Sequence, residues 1–305
     1  MKILIVASYN FGRFSPFVVE QVKALEKKGI EVEWFPIQGK GVKGYLSNRK
    51  RLLKKIKISN PDLIHAHYGL SGLLANTQRR VPVITTYHGS DIHSKGFLLF
   101  LSKICMCLSS YNIFVSRELY DISNYKKDNY SIIPCGVNLD LFYPVEKKRA
   151  RESLNWDFNS IYFLFSGSFD NSIKNYPLAS EAVSLFGDCE LIELNGFSRE
   201  KVNLLMNACD CLLLTSYREG SPMVIKEALA CGCPIISVDV GDVAMQLKDV
   251  TGCYIARRDA VDIAEKLALV IKENKKTNGR DIIMQNGLDN ETITGCIYDI
   301  YRSFL

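Results

Sequence analysis

The chain has 305 residues, of which 47% are apolar and 23% are charged, with a net charge of +5. These values are ordinary for a folded globular protein, and the length suffices for two domains. The sequence excludes a membrane-spanning helix, because Ser102 and Lys103 interrupt the longest apolar patch, Phe97 to Leu108.

The charge is divided unevenly along the chain. Residues 1–150 carry 23 Lys and Arg against 11 Asp and Glu, whereas residues 151–305 carry 15 against 22. This division indicates two domains with different partners. The basic half would be attracted to an anionic surface such as a membrane.

The first half alternates between predicted strands and helices. One helix is predicted to begin at Pro16 with Ser15 as its N-cap, and a basic helix is predicted over Leu46 to Ile58. The predicted strands are Lys2 to Ala7, Ile30 to Ile37, Asp62 to His67, Val81 to Tyr87, Ile113 to Ser116 and Ser131 to Ile133. We therefore expect the apolar N-terminus to be a strand and not a signal peptide.

The alternation restarts after Pro144, where the charged stretch Val145 to Arg151 is predicted to be a linker. The pattern predicts an α/β protein with two Rossmann-like, doubly wound parallel sheets facing a cleft. Residues 1–144 would form the first domain and residues 145–289 the second, with a C-terminal helix over about 290–305 packing back on the first. Further strands are predicted over Tyr162 to Ser166, Glu190 to Asn195, Cys211 to Thr215 and Pro234 to Asp239, and helices over Leu178 to Phe186, Lys201 to Ala208 and Pro222 to Cys231.

Ten cysteines raise the question of a metal site or disulfides. Cys209 with Cys211, and Cys231 with Cys233, have C-x-C spacing and lack the C-x-x-C or histidine pairs of zinc sites. We therefore predict buried free thiols and no metal. Free thiols are typical of a cytoplasmic protein.

Gly39, Gly41 and Gly44 match the pattern G-x-G-x-x-G, which occurs in dinucleotide-binding sites. They follow the second strand and not the first, so we predict a flexible basic loop and no nicotinamide or flavin cofactor. The cationic segment Arg49 to Lys57 that follows fits either an anionic membrane surface or an ordinary solvated helix. It lacks the interleaved aromatic residues of a nucleic-acid site, so nucleic acid is not an expected partner.

The strongest signal for chemistry begins at Thr215, where a strand is predicted to end. Ser221 is predicted to cap the next helix and Pro222 to take its first position. The amides of Met223 and Val224 would then have no partner inside the helix and would form a phosphate site.

Two carboxylates flank this predicted helix start. Glu227, within the first two turns, could accept hydrogen bonds from two ribose hydroxyls, and Glu219, on the loop, could reach the hydroxyls of a sugar. Glu219 and Glu227 are separated by seven residues and followed by Gly220 and Ala228. They resemble the E-x7-E signature of family 4 glycosyltransferases.

Three other segments resemble motifs of that family in the same order along the chain. The resemblance implies the GT-B fold and a retaining transferase that moves a sugar from a nucleotide-diphosphate sugar to a glycan or lipid-linked acceptor, in surface polysaccharide synthesis at the inner face of a membrane. The segments are Asp62-Leu63-Ile64-His65-Ala66-His67, Tyr87-His88-Gly89-Ser90-Asp91 and the interdomain segment Ile133 to Pro144.

The resemblance also implies roles for single residues. His88 would lie near the reacting sugar, with Lys174 and Glu219 completing the catalytic set, and Asp91 would contact the acceptor or orient its loop. His65 and His67 are expected on opposite faces of their strand. The implied donor-binding set is Gly12, Lys174, Glu219, Gly220, Ser221, Pro222, Met223, Val224 and Glu227.

The implied mechanism is front-face substitution, in which the leaving phosphate helps to deprotonate the acceptor and neither a metal nor a cofactor is required. The chain departs from the family pattern at Ser168, which stands where an arginine is usual. In addition, only about 45 residues separate Lys174 from Glu219, so a strand-helix unit is expected to be absent. Because of Ser168, a non-catalytic nucleotide-sugar-binding subunit remains an alternative. A nucleotide-sugar epimerase is a second alternative, because such epimerases share this fold.

Overall fold

The computed structural model describes residues 1–94 and 96–305. This part of the chain divides into two compact units, the first formed by Met1–Gly136 with Asn290–Leu305 and the second by Val137–Asp289. The sequence prediction placed the division between residues 144 and 145. The C-terminal segment belongs to the first unit, although the chain reaches it only after passing through the second.

The first unit contains a parallel sheet built from β1 (Lys2–Ser8), β2 (Glu31–Ile37), β3 (Leu63–His67), β4 (Val83–Tyr87), β5 (Tyr111–Phe114) and β6 (Tyr130–Ile132). Within the described residues this sheet has six strands in the order β2-β1-β3-β4-β5-β6. Every residue of β3 and β4 is buried. Burial on both faces is expected for parallel strands covered by helices on each side.

Helices of the first unit cover both faces of its sheet. They are α1 (Pro16–Lys27), α2 (Gly41–Leu46), α3 (Arg49–Ser59), α4 (Gly69–Ala75), α5 (Phe97–Leu108), α6 (Arg117–Ser123) and, at the C-terminus, α14 (Asn290–Arg302). α1 and α14 pack on one face through Leu25 and Ile297. α3 and α4 pack on the other through Leu52 and Leu74.

The basic helix predicted over Leu46 to Ile58 is confirmed as α3, although α3 begins three residues later, at Arg49, and a separate helix, α2, precedes it. Buried Asn48 separates them, and its side-chain amide donates to the carbonyl oxygens of Gln38 and Gly44, each at 2.8 Å. A Cβ on Gly44 would lie 2.7 Å from the carbonyl carbon of Gly39. The glycines of the G-x-G-x-x-G pattern therefore permit a close approach of two backbone segments.

The second unit contains a parallel sheet of β7 (Tyr162–Phe165), β8 (Glu190–Glu193), β9 (Cys211–Leu214), β10 (Ile235–Val238) and β11 (Cys253–Ala256). Within the described residues it has five strands in the order β11-β10-β9-β7-β8, one fewer than the first sheet. Its helices are α7 (Lys147–Leu154), α8 (Tyr176–Phe186), α9 (Arg199–Ala208), α10 (Met223–Cys231), α11 (Val243–Gln246), α12 (Ala260–Glu273) and α13 (Gly279–Gln285). The two doubly wound parallel sheets that the sequence predicted are confirmed.

The predicted linker, Val145 to Arg151, is wrong, because α7 covers most of it. Arg151 is buried and donates to the carbonyl oxygens of Asp157, Phe158 and Ser160. Its guanidinium also pairs with Asp210 at 2.9 Å. The thiols predicted to be buried, at residues 209, 211, 231 and 233, are buried and free.

Both sheets reverse their strand order beside the first strand of the unit. β1 lies between β2 and β3, and β7 lies between β8 and β9. In doubly wound sheets, ligands bind beyond the carboxyl ends of the strands at such a reversal. The segments that follow β1, β3, β7 and β9 are therefore in the positions expected to hold a ligand. In the described parts of the chain, every helix is too short or too polar to cross a bilayer.

Candidate functional site

The loop after β9 brings a carboxylate to a lysine that follows β7. Nζ of Lys174 lies 2.7 Å from Oε1 of Glu219, and the hydroxyl of Ser216 donates to the same oxygen at 2.7 Å. Lys174 ends a short 3-10 turn, and its Cγ would lie 3.0 Å from a Cβ on Gly167. The absence of a side chain on Gly167 therefore leaves room for the lysine beside the end of β7.

The second carboxylate lies on α10 and pairs with a residue that the sequence prediction missed. Glu227 is only 4% exposed, and Arg199 donates to its Oε1 at 2.6 Å. The guanidinium of Arg199 also lies over the ring of Phe142, 4.6 Å from its centroid. Arg199 begins α9, which follows β8 after a loop of five residues, so its place beyond the carboxyl end of a strand was the available signal.

The start of α10 differs by one residue from its prediction. Pro222 is the N-cap and not the first helical residue, and it supplies no side-chain hydrogen bond to the helix. Ser221 does not cap the helix, because its hydroxyl accepts from Nζ of Lys226 at 2.8 Å. The amides of the first turn, at Met223 and Val224, have no partner within the helix and are available to an anion.

These groups line one cavity of about 360 Å³ in the second unit. Its volume lies in the range of small-molecule pockets, about 300–1,000 Å³. Ser166, directly after β7, contributes a buried hydroxyl that has no hydrogen-bond partner among the described residues. The lining is Ser166, Gly167, Lys174, Leu194, Asn195, Gly196, Phe197, Arg199, Val202, Glu219, Pro222, Met223, Val224 and Glu227.

In the second unit, two residues of the predicted donor-binding set and the unusual Ser168 lie outside this lining. Ser221 bonds Lys226, and the carbonyl oxygen of Gly220 would lie 2.8 Å from a Cβ on Gly241. Both residues therefore support the loop on the side that faces away from the cavity. Ser168 also lies off the cavity, and its hydroxyl accepts from the amide of Asp170 at 3.3 Å.

A buried polar network lies behind the same loop. Lys226 is fully buried, and Gln246 of α11 donates to Asp242. Burial raises the pKa of Asp242, while Lys226 and the hydroxyl of Ser221 oppose that rise. This network fixes the loop that carries Glu219 and leads into α10.

In the first unit, the predicted catalytic histidine lies in a stack of three. Nδ1 of His67 is 3.0 Å from Nε2 of His88, and Nδ1 of His88 is 3.7 Å from Sγ of Cys135. The rings of His65 and His67 stack at 4.5 Å. The expectation that these two face opposite sides of β3 is wrong, because residues two apart on a strand share a face.

The hydrogen bonds fix which nitrogens carry protons. Nε2 of His67 is buried and has no partner in the described residues. Because buried N–H groups without partners are rare, the proton of His67 lies on Nδ1 and is donated to His88. His88 then carries its own proton on Nδ1, toward Cys135. Burial lowers the pKa of His67 to about 3 and, with His67, lowers that of His88, so both rings are neutral at pH 7.

Asp91 ties two loops together beside this stack. Its carboxylate accepts from the amide of Gly89 at 2.9 Å and from that of Gly69, the first residue of α4, at 3.1 Å. Burial raises the pKa of Asp91 to about 6. Gly12 lies in the loop after β1 with a φ of +68°, a conformation that favours glycine.

Two family models match the chain. The model described as "Glycosyl transferases group 1" matches residues 190–285, and the model described as "Glycosyltransferase Family 4" matches residues 30–141. A glycosyltransferase of Bacillus subtilis (strain 168) named for teichuronic acid biosynthesis, TuaC, is 27% identical over 238 residues, which cover 68% of this chain and 60% of that protein. The alignments span between 59% and 82% of the curated relatives' own length, and less than two thirds of most.

Solved structures share the fold at low sequence identity. Sucrose-phosphate synthase from Thermosynechococcus elongatus matches with a TM-score of 0.87 and 18% identity over 99% of this chain and 98% of that one. Anabaena Alr3699/HepE in complex with UDP-glucose matches with a TM-score of 0.78 and 17% identity over 99% and 100%. These similarities show the GT-B fold. The two family models match residues 30–141 and 190–285 to glycosyltransferases of family 4 and of group 1.

Proposed function

We propose that this chain is a retaining glycosyltransferase that moves a sugar from a nucleoside-diphosphate sugar to a hydroxyl group of a glycan or lipid-linked acceptor. The observation that carries this proposal is the cavity of about 360 Å³ at the strand reversal of the second sheet. A lysine, two carboxylates, helix amides and an unpartnered hydroxyl meet there. This combination suits a diphosphate with a sugar at one end and a nucleoside at the other.

The donor would lie along α10. The first-turn amides and Lys174 would hold the diphosphate, because both present positive charge at the helix N-terminus. Glu227 would accept from the ribose hydroxyls, with Arg199 holding its carboxylate in place, and Glu219 would contact the sugar. Solved proteins with this fold bind UDP and UDP-glucose, which makes UDP the first nucleotide to test.

The reaction would proceed on one face of the sugar. The bond from the anomeric carbon to the diphosphate oxygen breaks while the acceptor oxygen bonds to the same face, and the acceptor proton passes to the leaving phosphate. Lys174 and the helix amides would stabilise the charge that grows on the diphosphate. Both nitrogens of His88 are engaged within the first unit, so its role would be to position the sugar and not to transfer a proton.

We further propose that the acceptor is presented at an anionic lipid surface on the cytoplasmic side of a membrane, as in surface polysaccharide synthesis. α3 exposes Arg49, Lys50 and Lys54, and α5 exposes Phe97 and Phe100, whose exposed fractions are 64% and 56%. Surface cations and exposed apolar side chains each favour binding at a lipid interface. Replacing Phe97 and Phe100 with Ser should reduce co-sedimentation with phosphatidylglycerol vesicles, and an unchanged bound fraction would contradict membrane contact.

Calorimetric titration with UDP tests the donor site. Glu227→Gln should weaken UDP binding at least tenfold, about 1.4 kcal/mol, because the ribose loses a charged acceptor. Glu265→Gln, an exposed change on α12, is the matched control. Equal affinity in the two variants would contradict the ribose role.

Product analysis tests the reaction. Incubation with a panel of UDP-sugars and acceptors, followed by NMR of the product, should show an anomeric configuration equal to that of the donor. An inverted product would overturn retention. Donor binding without turnover across the panel would support a binding subunit, and epimerised donor without an acceptor would support an epimerase.

A further inference from the structure

A second, larger cavity of about 880 Å³ lies in the second unit, at the amino ends of the strands. The proposed donor site lies at their carboxyl ends. The lining of the larger cavity includes Ile161, Asp210 and Pro234, which directly precede β7, β9 and β10. The cavity of the proposed donor site, which we call the donor cavity, is lined by residues that follow the strands. Because the strands are parallel, the two cavities lie at opposite ends of the same sheet. We call the larger one the basic groove.

Two helices connect the basic groove with the donor cavity. α9 contributes Arg199 to the donor cavity and Asn207 to the groove. α10 contributes Glu227 to the donor cavity and Cys231 to the groove. Each helix thus begins at one cavity and ends at the other.

The charge of the groove is opposite to that of the unit that contains it. Residues 137–289 carry 17 Lys and Arg against 22 Asp and Glu. Among the described residues that line the groove, the only acidic side chain is that of Asp210, and the basic ones are Lys147, Lys148, Arg151, Lys275 and Lys276. Clustered like charges in a concave surface concentrate the electrostatic potential there.

Three of these cations have partners within the unit. Lys147 and Arg151 both pair with Asp210. Lys276 donates to the carbonyl oxygen of Val145 at 2.8 Å and to Oδ1 of Asn207 at 3.2 Å, both uncharged acceptors. Burial lowers the pKa of Lys276, and neighbouring Lys147 lowers it further. The single carboxylate of the groove, that of Asp210, is therefore already outnumbered by Lys147, Arg151 and Lys276.

Lys148 and Lys275 add positive charge that no described carboxylate balances. Neither has an ion pair with any described residue, and both are exposed. Nζ of Lys148 lies 6.0 Å from the centroid of Phe158, whose ring is half exposed in the groove. The C-terminal ends of the helices account for Arg151, which donates to the last carbonyl oxygen of α9, and favour Lys275, which follows the C-cap of α12. They do not account for Lys148, which lies in the first turn of α7.

We propose that the basic groove binds a small soluble polyanion of the phosphate type, at a site distinct from the donor cavity. The volume lies in the range of small-molecule sites, and the lysines stand on α7 and on the segment after α12, so that they can approach one ligand from two sides. Lysine serves well as a point charge for phosphate. The exposed ring of Phe158 offers an apolar surface to the remainder of such a ligand. This proposal does not depend on the proposed transferase activity.

Titration with sodium tripolyphosphate at fixed ionic strength tests the site. Fluorescence of Trp156, recorded with the other tryptophan changed by Trp34→Phe, is a suitable signal. The ring of Trp156 stacks on Tyr162, and its amide donates to the carbonyl oxygen of Arg151, which lines the groove. The double change Lys148→Ser and Lys275→Ser should weaken binding at least tenfold. The double change Lys248→Ser and Lys272→Ser, at exposed positions outside the groove, removes the same charge and should alter binding less than twofold.

The donor cavity also attracts phosphates, so a third variant separates the two sites. Lys174→Met should weaken UDP binding and leave the Trp156 response to tripolyphosphate unchanged. The groove variant should bind UDP as the wild type does and keep its melting temperature, since both lysines are exposed. Absence of wild-type binding, equal loss in the two double variants, or loss of the response in Lys174→Met would each overturn the proposal.

Discussion

At the scale of single residues, the donor cavity depends on an ion pair that links two helices. Glu227 is almost fully buried, and the side chain of Arg199, its partner, is a quarter exposed. A buried carboxylate that loses its cation retains the cost of desolvation without the compensating attraction. Neither residue can therefore be altered without an effect on the other.

Arg199→Met should lower the free energy of unfolding by about 1–3 kcal/mol, less than for a fully buried pair because the arginine is partly exposed. UDP binding should weaken as well, since Glu227 loses its fixed orientation. Urea denaturation and calorimetry measure the two effects. Arg218→Met, at an exposed loop position, is the control, and equal effects of the two changes would contradict the prediction.

The three stacked histidines predict acid sensitivity. Burial lowers the pKa of His65 and of His88, and lowers that of His67 to about 3, whereas each is near 6.5 in an unfolded chain. The unfolded state therefore binds more protons below pH 6.5. The stability that neutral histidines contribute is fully present above that pH and is lost as pH falls, by about 1.4 kcal/mol per histidine per pH unit.

Asp91 acts in the opposite direction. Its raised pKa of about 6 means that the folded state binds the extra proton between about pH 4 and 6, so its contribution is present at low pH and lost as pH rises. Urea midpoints measured from pH 8 to 5 should still fall, because three histidines outweigh one carboxylate. His65→Gln should flatten the profile, because it removes one of the three buried histidines. A wild-type midpoint independent of pH would contradict this prediction.

At the scale of elements, α10 depends on the buried network behind its first turn. Lys226→Met should lower the free energy of unfolding by about 3–5 kcal/mol, because Asp242 loses its buried cation. Without that cation the pKa of Asp242 should rise further, so the loss should be larger at pH 8 than at pH 5. Urea denaturation at the two pH values measures this difference.

A double-mutant cycle provides the control for that network. Asp242→Asn combined with Lys226→Met should recover part of the stability that the lysine change alone removes, because no charge is left buried. Additive losses would show that Lys226 and Asp242 do not interact.

Local sequence patterns predicted most helices and strands. They failed where contacts with residues distant in sequence determine whether a helix forms or where it begins. The strands β3, β4 and β9 follow from apolar runs, and the start of α10 was misplaced by only one residue. α7 was missed because its charged sequence resembles a linker, whereas the helix is held by Arg151 and Asp210, which are far apart in sequence. The break between α2 and α3 depends on bonds from Asn48 to another loop.

At the scale of the whole molecule, the chain returns to its first unit at the end. Ile297 of α14 is buried against the face that α1 also covers, and the hydroxyl of Tyr301 contacts Nδ1 of His65 at 2.5 Å. The sequence predicted the returning helix, but not its contact with the histidine stack. His65 and Tyr301 are 236 residues apart in the sequence, so the local spacing of residues could not predict that they meet.

Ile297→Ala should destabilise the first unit by about 2–5 kcal/mol through the cavity that it leaves. Hydrogen exchange should then accelerate in β1 and β3 and remain unchanged in β7 and β9. Ile263→Ala, at an equally buried position of α12, should give the reverse pattern. Acceleration in both sheets by either change would show that the two units do not unfold separately.

The shared helices α9 and α10 have a thermodynamic consequence. Ten and nine residues long, they form rods of about 14 Å, so movement at one end is transmitted to the other. If a polyanion at their C-terminal ends alters the affinity for UDP by some factor, UDP must alter the affinity for the polyanion by the same factor. The two ratios of affinities, measured with and without the other ligand, would give the coupling free energy between sites at the amino and carboxyl ends of the strands of one five-stranded sheet.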